Sequence, residues 1–259
     1  MSDFDFLRRI KLDLPRLLFY EGNYKQWNHP NTFQPFMTIY VILEGDAYVD
    51  ICGKRIQFIP GYSYLLPANI SMGLGCETHI KKIWGHFQVQ TTIGFDLMTS
   101  WEQFVIIERA FLPSTIKKMS DVELYFFVKS KIWQGVSQES EYFEKAIQNF
   151  SFKTKWEKIV LEYMDKELDA QSRVQDLAKL VNMSSDGLSR SFQKRYGISL
   201  KKYMLGQLNQ KVCMSLMQPS MPIKEVAKLY NFQDEHYFYQ FFKKHNLQTP
   251  KKFRISQGL

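Results

Sequence analysis

One stretch of sequence occurs twice near the C-terminus, and this repeat limits the possible folds more than any other feature. Residues 177–203 read LAKLVNMSSDGLSRSFQKRYGISLKKY, and residues 226–253 read VAKLYNFQDEHYFYQFFKKHNLQTPKKF. The Ala-Lys-Leu triplets stand 49 residues apart, and after one inserted residue the pairs Leu188/Phe238 and Phe192/Phe242 stand 50 residues apart. Such a repeat indicates that the chain uses one supersecondary unit twice.

Each copy contains the parts of a helix-turn-helix unit. Its first helix carries a small residue, Ala178 or Ala227, where two steeply crossing helices must approach closely. Four residues later stands Asn182 or Asn231, and asparagine tolerates the left-handed backbone of a tight turn. The sequence therefore predicts two helix-turn-helix units.

Polar residues predict where the helices of these units begin. Ser184 and Asp234 each precede a second helix, where a side-chain oxygen can accept from the first free N–H groups. Ser172, followed by Gln175, predicts a capping box at the start of the first unit.

One helix is predicted to join the two units. Apolar residues recur at helical spacing from Leu200 to Leu216 and stop before Pro219. Gly206 inside this segment disfavours the helix by about 1 kcal/mol relative to alanine. A single helix would couple the two units fairly rigidly.

The first half of the chain has the pattern of short antiparallel strands. From residue 36 to about residue 89, apolar residues alternate or form short runs between turn signals. These signals are Gly45-Asp46, Gly53-Lys54, Pro60-Gly61 and Pro67-Ala68-Asn69. The predicted fold class is α+β, with a strand-rich barrel or sandwich followed by an all-helical domain.

A change of period and of charge marks the domain boundary. Beyond Leu112, apolar residues recur every three or four positions, which predicts helices near residues 122–136, 142–150 and 156–168. The boundary falls between about Ser137 and Lys155. We therefore expect one domain over residues 1–150 and a second over residues 151–259.

The two parts differ in charge. Residues 151–259 contain 19 Lys and Arg against 10 Asp and Glu, a net charge of +9, whereas residues 1–150 contain 15 against 16, a net charge of −1. A basic module attached to a neutral one favours a polyanion as its partner. A basic solvated surface is the alternative.

Cysteine usage and hydropathy predict a soluble cytoplasmic protein. Cys52, Cys76 and Cys213 are odd in number and widely spaced, as expected of small buried thiols in a reducing compartment. The N-terminus has acidic residues where a signal peptide needs cations. The apolar runs fall far short of the roughly 18 residues that span a bilayer, so no membrane segment is expected.

The C-terminal motifs resemble the DNA-binding domain of the AraC/XylS transcription regulators. The matching residues are LA…N-M-S-x3-L-S-R-x-F-x-K…G-I-S…Y at residues 177–203 and I-x2-VA…NF…YF…FFKKH…TP-x2-F-R at residues 223–254. The resemblance covers about 100 residues. It implies a sequence-specific regulator whose two helix-turn-helix units are joined by a linker helix.

Three positions depart from the family pattern. Asn231 and Leu247 stand where family members have glycine, and Leu208 stands where the linker helix has an arginine. Asparagine replaces glycine readily in a left-handed turn, and we expect Asn246 to take the turn in place of Leu247. Without the arginine, the linker helix loses the family's usual contact to its neighbours.

The resemblance implies that each second helix enters a major groove, so that double-stranded DNA is read in two adjacent grooves about 10 bp apart. Arg190 can pair with guanine, the glutamines with adenine, and an acidic residue with cytosine. The alternatives are phosphate or intramolecular pairing for Arg190 and a helix-dipole interaction for the acidic residues. The expected base contacts are Ser185, Asp186, Ser189, Arg190, Gln193, Glu235, His236, Tyr239 and Gln240.

Lysines are the expected phosphate contacts, with a merely solvated role as the alternative. They are Lys194, Lys243, Lys244, Lys251 and Lys252.

The aromatic run of residues 237–242 is predicted to be mostly scaffold. The spacing of Tyr237, Phe238, Phe241 and Phe242 places them on one helical face turned to the core. Tyr239 is the ring that points elsewhere, toward the groove.

The strand-rich half resembles, more loosely, the cupin sensor of AraC-type regulators, through VILEGDAYVDICGKRIQFIPGYSYLLPAN and IWGHFQV. The resemblance implies a cupin-like β-barrel that binds a small-molecule effector, with a carbohydrate as one candidate. Ordinary core positions are the alternative for its candidate ligand contacts. These are Trp84, His86, Tyr40, Tyr62 and Tyr64.

The histidines argue against a metal enzyme. His29, His79 and His86 lack the spacing of a metal-binding cupin cluster, so we expect no metal, no cofactor and no catalytic activity. The resemblance further implies a homodimer through helices of the N-terminal domain, contacts with RNA polymerase, and activation as one mode of regulation. Two alternatives are a ligand-independent regulator whose barrel only dimerises and a non-metal, carbohydrate-binding cupin.

Overall fold

The computed structural model describes residues 10–91, 96–98, 101, 105–107, 113–143 and 155–257. These residues form two compact units, one rich in strands and one made of helices. The expected boundary between residues 150 and 151 lies outside the described residues, as does the segment 144–150 of the helix expected there.

An antiparallel sheet forms the first unit. Among the described residues its strands are β1 (Ile10–Asn23), β2 (Asn28–Phe33), β3 (Met37–Ile51), β4 (Lys54–Gln57), β5 (Ser63–Leu66), β6 (Ser71–Thr91) and β7 (Val105–Ile107). They lie in the order β1-β6-β3-β5-β7, with β2 paired to β6 and β4 paired to β3. The predicted antiparallel strands are confirmed, and closure into a cupin-like barrel stays a prediction.

Strand β3 continues through Gly45, where the sequence predicted a turn, and that prediction is wrong. Gly45 has a φ of 110°, and the register of β3 against β6 shifts between Gly45 and Ala47. The glycine therefore makes a bulge inside a long strand. A Cβ on Gly45 would lie 2.2 Å from the carbonyl oxygen of His79, so the close approach of β6 requires a glycine here.

The other three turn predictions are confirmed. Cys52 and Gly53, with φ values of 51° and 74°, join β3 to β4 in a two-residue hairpin loop. Gly61 precedes β5 and Asn69 precedes β6, both with positive φ. Cys52 is exposed in its turn, which corrects the expectation of a buried thiol, while the other two cysteines are buried.

Large side chains cover one face of the sheet. The registers pair Tyr40 with Tyr64 on β5 and with Trp84 on β6, so all three lie on the same face. Trp27 and Phe58 join them in one buried cluster, with Trp84 packed at its margin. Burial of each such ring contributes about 1.5–3 kcal/mol of transfer free energy.

Among the described residues, helices α1 (Pro113–Ile116) and α2 (Asp121–Gln138) accompany the sheet, and residues 140–143 are also helical. Helix α2 begins with a capping box in which Ser120 and Glu123 satisfy each other's backbone N–H groups. It packs against β5 and β7 through a buried face that includes Ile132 and Val136.

The second unit is helical throughout the described residues 155–257. Its helices are α3 (Lys155–Lys166), α4 (Val174–Leu180), α5 (Ser185–Tyr196), α6 (Leu200–Leu216), α7 (Ile223–Leu229), α8 (Glu235–Asn246) and α9 (Pro250–Ser256). Both predicted helix-turn-helix units, α4–α5 and α7–α8, are present, and α6 joins them as one helix despite Gly206. In the part of the chain that the structure describes, no helix is both long and apolar enough to cross a bilayer.

Two mid-helix glycines give a matched test of the packing of α2 on the sheet. Replacement by alanine gains about 1 kcal/mol of helix propensity at either site. The new Cβ at Gly135 would lie 2.4 Å from Leu65 Cδ1 and 2.9 Å from Ile107 Cδ1, whereas at Gly206 it would meet nothing within 4 Å. Overpacking a core costs about 1–3 kcal/mol. The free energy of unfolding of Gly135→Ala should therefore be about 1–3 kcal/mol lower than that of Gly206→Ala. Urea unfolding followed by circular dichroism measures both, and equal values would contradict tight packing at Gly135.

Candidate functional site

The first helix-turn-helix unit has the turn and caps that its sequence predicts. Asn182 adopts a φ of 53° in the turn between α4 and α5. Ser184 caps α5, and its hydroxyl accepts from the backbone N–H of Gly187 at 3.1 Å. Gly197 ends the helix with a φ of 72°. These contacts fix where the exposed face of α5 begins and ends.

The second unit repeats this geometry with one difference. Asn231 has a φ of 51° in the turn, and the Asp234 carboxylate accepts from the Tyr237 backbone N–H at 2.6 Å. Leu247 itself takes the left-handed conformation, with a φ of 56°, and Asn246 remains the last helical residue. The expectation that Asn246 would take the turn is therefore wrong, because its side chain is needed inside the domain.

The predicted capping box at Ser172 and Gln175 is also wrong. Helix α4 begins after Arg173, whose backbone N–H donates to the Asp176 carboxylate at 3.2 Å. The Ser172 hydroxyl instead accepts from the backbone N–H of Asp169 at 3.1 Å, in the loop before the helix.

That loop also holds the turn of the second unit. Asn231 Nδ2 donates to Asp169 Oδ2 at 2.7 Å, and Gln171 Nε2 donates to the Asn231 carbonyl at 3.0 Å. Burial raises the pKa of Asp169, but the hydrogen bonds from Asn231 and Ser172 outweigh it and hold the pKa below its usual value. The two helix-turn-helix units are thus connected by polar contacts as well as by α6.

A buried amide pair holds the linker helix to the second recognition helix. Asn209 of α6 and Asn246 of α8 are 4% and 1% exposed. Each donates an Nδ2 hydrogen bond to the other's Oδ1, at 3.1 and 2.6 Å, and Asn246 also donates to the Phe242 carbonyl at 3.0 Å. The sequence reasoning missed this pair, whose signal is an asparagine inside the apolar stripe of the linker helix.

A buried ion pair anchors the first recognition helix. Arg195 Nε of α5 donates to Glu157 Oε1 of α3 at 2.8 Å, and the Glu157 side chain is 2% exposed. The ion pair therefore holds the Arg195 side chain inside the domain. Arg190, one turn and a half earlier, is exposed and makes no hydrogen bond or ion pair with a described residue.

The candidate base contacts of α5 share one helical face. Asp186, Arg190 and Gln193 are exposed, and Ser185 and Ser189 are half-buried. The opposite face is anchored, since the apolar side chains at positions 188 and 192 are fully buried. One of the five positions is engaged within the helix terminus, where Gln193 Nε2 donates to the carbonyl of residue 197 at 3.1 Å.

On α8, Glu235, His236 and Gln240 are exposed and Tyr239 is half-buried. The Nε2 atoms of His236 and Gln240 lie 2.6 Å apart, so these two side chains form a small hydrogen-bonded group on the surface. The candidate phosphate contacts, all of them exposed, are Lys194, Lys243, Lys244, Lys251 and Lys252.

The aromatic scaffold of α8 is confirmed for three rings of the four. Phe238, Phe241 and Phe242 are buried. Tyr237 is 46% exposed, with its ring centroid 5.9 Å from that of Phe232, so its predicted core position is wrong. The first helical turn projects beyond the core, which leaves Tyr237 at its rim.

The N-terminal turns of the two recognition helices open on one shared cavity of about 540 Å³. Ser185, Asp186 and Ser189 of α5 line it together with Tyr237 of α8, and Leu208 of the linker helix contributes to its wall. The cavity therefore lies between the candidate base contacts of α5 and the first turn of α8, although none of the candidate base contacts of α8 lines it.

In the sheet unit, two of the candidate ligand contacts have their polar atoms engaged. The Tyr64 hydroxyl accepts from the backbone N–H of Ile59 at 2.8 Å, and His86 Nδ1 lies 3.1 Å from Thr38 Oγ1. Both side chains are fully buried. These are the contacts of core residues, in line with the alternative left open by the sequence.

The other three candidates lie in or beside the aromatic cluster. Tyr40 is buried within it, and Tyr62 and Trp84 pack against it while partly exposed. Trp84 has its ring centroid 5.2 Å from that of His86, and the guanidinium of Arg16 lies 5.8 Å from the Trp84 ring.

The sequence reasoning missed Lys82, which lies in the middle of this cluster. The Lys82 side chain is only 3% exposed, and its Nζ lies 3.5 Å from the ring centroid of Tyr40 and 4.1 Å from that of Trp27. Burial lowers the pKa of Lys82 well below its usual value. The signal was the alternation of β6, in which position 82 shares the inward parity of Ile80 and Trp84.

Comparison with known proteins agrees with this geometry. A family model described as a helix-turn-helix domain matches residues 177–256, which span both units and the linker helix. The chain is 24% identical over 247 residues to the Msm operon regulatory protein of Streptococcus mutans, an alignment that covers 86% of this chain and 85% of that protein.

Residues 177–256 thus form a helix-turn-helix domain, and the chain is similar over most of its length to the regulatory protein of an operon.

One further relative matches the C-terminal domain, and one solved structure matches the fold. The probable transcription factor PqrA of Proteus vulgaris is 28% identical over 97 residues, which cover 37% of this chain and 80% of that protein. The solved structure of ToxT from Vibrio cholerae with a bound unsaturated fatty acid has a TM-score of 0.55 at 15% identity, and covers 93% of this chain and 94% of that chain. The similarity of fold thus extends over both units.

The amide pair of the linker helix can be tested by a double-mutant cycle. Replacing either Asn209 or Asn246 by leucine leaves the other amide buried without its partner, which should lower the free energy of unfolding by about 1–3 kcal/mol. The double variant should recover part of that loss, because no unpaired amide remains. Denaturant unfolding of the four proteins gives the coupling energy. Strictly additive losses would contradict a direct interaction.

Proposed function

We propose that this chain is a transcription regulator of the AraC family that reads two adjacent major grooves of double-stranded DNA, and that a small molecule bound in its sheet domain regulates this activity in the cytoplasm. The observation that carries the proposal is the repeated helix-turn-helix geometry, in which α5 and α8 each begin with a capped turn behind a left-handed asparagine and each carry exposed polar residues. A helix-turn-helix protein presents the N-terminal part of its second helix to base edges.

Arg190 is the strongest candidate for a base contact. It is exposed, it lies on the same helical face as Asp186 and Ser189, and no described residue competes for its guanidinium. A free, planar guanidinium can donate two parallel hydrogen bonds to guanine O6 and N7. Asp186, Glu235, His236, Tyr239 and Gln240 would complete the polar surfaces.

The lysines supply the second component of binding. Residues 151–259 carry a net charge of +9, and the candidate phosphate contacts at the ends of α5, α8 and α9 are all exposed. Neutralising phosphates releases counterions, so affinity should fall as salt rises. Base-independent affinity from lysines and base-dependent affinity from Arg190 are therefore separable.

A comparison of Arg190→Ala with Lys244→Ala tests this separation. Arg190→Ala should weaken binding to the preferred site by about 1–3 kcal/mol and relax the choice of one base pair. Lys244→Ala should weaken binding to all sequences similarly and reduce the salt slope by about one. Gel shifts with single-base variants of the preferred site at several salt concentrations measure both effects. The control is Arg55→Ala, which removes an exposed arginine of the sheet unit paired with Asp50. Loss of binding without loss of base preference in Arg190→Ala would contradict base reading by Arg190.

The sheet domain is proposed to bind the effector. ToxT, whose fold this chain shares, has been solved with an unsaturated fatty acid bound. In this chain the sheet has an aromatic face that includes Tyr40 and Trp84, the kind of wall that small-molecule sites use. A carbohydrate is one candidate effector. The ligand would favour one arrangement of the domains and so change DNA affinity or contacts with RNA polymerase.

We further propose a homodimer through the exposed face of α2. Val122 and Phe126 are 66% and 64% exposed, and Tyr125 and Trp133 lie nearby on the same helix with 37% and 40% exposure. A second copy of the chain would cover this apolar face by a self-complementary, two-fold contact. Binding rather than catalysis is the function proposed for both domains.

Two substitutions test the dimer. Val122→Asp and Phe126→Asp place charges in the proposed interface and should convert a dimer to a monomer in analytical ultracentrifugation at micromolar concentration. Gln138→Asp is the control, because Gln138 is exposed on the same helix but lies outside this apolar face. A wild-type protein that sediments as a monomer would reject the dimer.

A further inference from the structure

We propose that the interior of the sheet domain contains an anion-binding subsite at Lys82, which takes the carboxylate of an otherwise apolar small molecule. This inference rests on the proposed effector-binding function of that domain and names the chemistry of the effector.

Lys82 is placed on the inner face by the strand register. It pairs with Ile42 of β3, and Trp84, two residues further along β6, pairs with Tyr40. Side chains two residues apart on a strand point to the same face. The Nζ atom lies within 5.6 Å of the ring centroids of Tyr20, Trp27 and Tyr40, so strands β1 and β3 and the turn before β2 surround it with aromatic rings.

No described residue supplies a counter-charge to this amine. Among the described residues, no carboxylate lies within 4 Å of Lys82 Nζ, and no described group forms a hydrogen bond with it. Its neighbour Lys81 shows the ordinary arrangement, with Nζ 3.0 Å from Glu21 Oε2 and 3.9 Å from Glu44 Oε2 on the other face. A buried ammonium without a partner is unfavourable, and cation–π contacts compensate for only part of the lost hydration.

The described titratable groups around Lys82 lie on β1, β2, β3 and β6, and none of them supplies a negative charge. Burial raises the pKa of Tyr20, Tyr40 and Cys76, which keeps the two phenols and the thiol neutral. Burial, together with the positive charge of Lys82, lowers the pKa of His29 and keeps that ring neutral as well. Among the described residues, Lys82 is therefore the cation inside the cluster, Arg16 lies at its margin over Trp84, and no anion accompanies them.

The phenols offer further donors. The hydroxyls of Tyr20 and Tyr40 make no hydrogen bond with a described residue. A carboxylate that entered the cluster could accept from the ammonium and from a phenol, and each such charge-assisted bond is stronger than a neutral one. The ligand would supply the negative charge that the protein lacks.

The surroundings favour a carboxylate with an apolar body. A single ammonium matches one negative charge, whereas a phosphate dianion calls for several donors, typically arginines or a helix N-terminus. Beyond the amine, the face of the sheet presents the rings of Trp27, Phe58 and Trp84. These rings suit a hydrocarbon or aromatic body better than one covered with hydroxyls.

Matched probe pairs that differ only in the head group test the charge directly. The pairs are hexanoate and hexanol, phenylbutanoate and phenylbutanol, and palmitoleate and palmitoleyl alcohol. Isothermal titration of the full chain should give at least one acid that binds about tenfold or more tightly than its alcohol, since a buried charge pair is lost with the alcohol. Equal affinity within every pair, or no binding by any acid, overturns the proposal.

Two variants assign the preference to Lys82. Lys82→Met keeps the length of the side chain and removes the charge, so the acid and the alcohol should bind equally. Lys81→Met removes a neighbouring lysine that points to the other face, and the preference for the acid should persist. An acid preference that survives in Lys82→Met overturns the proposal.

Protein stability provides the control for folding. Because Lys82→Met replaces an unpaired buried amine by an apolar side chain, its Tm without probe should equal or exceed that of the wild type, by roughly 2–4 °C. If Lys82→Met does not fold, Lys82→Gln serves in its place with the same expected loss of acid preference. Binding of neutral sugars by a wild-type protein that shows no preference for any acid over its alcohol would leave the proposed effector function intact and overturn the anion subsite alone.

Discussion

The reciprocal hydrogen bonds between Asn209 and Asn246 hold α8, the second helix of the second helix-turn-helix unit, against the linker helix, and the position of the candidate base contacts of α8 depends on them. Two buried amides satisfy each other only in one register of α6 against α8. Apolar packing alone tolerates small slips, whereas an amide pair does not, because a slip leaves two buried polar groups unpaired. This pair lies on the linker helix next to Leu208, where the family's usual arginine is missing.

Helix α5, the second helix of the first unit, is also held by polar contacts with buried groups. Arg195 pairs with the buried Glu157 of α3. In the loop before α4, Gln171 donates a hydrogen bond to the Asn231 carbonyl and Asp169 accepts one from the Asn231 side chain, in the turn of the second unit. Each contact crosses between helices that are distant in sequence. The domain thus fixes its two reading surfaces with a few satisfied polar groups, while the phenylalanines of α8 supply the bulk of the core.

The buried polar groups of the sheet domain are of two kinds. His86 and Tyr64 are satisfied within the protein and belong to the core. Lys82 is buried to a similar degree but forms no hydrogen bond or ion pair with a residue that the structure describes, and stability alone does not account for it. A satisfied buried group specifies a fold, whereas an unsatisfied one on an aromatic face is suited to a ligand.

The sequence by itself determined the helical domain, because the repeat at offsets of 49 and 50 residues, the asparagine turns and the apolar spacing are all local patterns. It also gave the antiparallel strands and three of their four turns. It failed at Gly45, Leu247 and Tyr237, where contacts with distant residues override local preference. Only the tertiary structure decided which polar residues are buried together, since the pairing of Asn209 with Asn246 and the isolation of Lys82 among aromatic rings depend on long-range packing that no local pattern records.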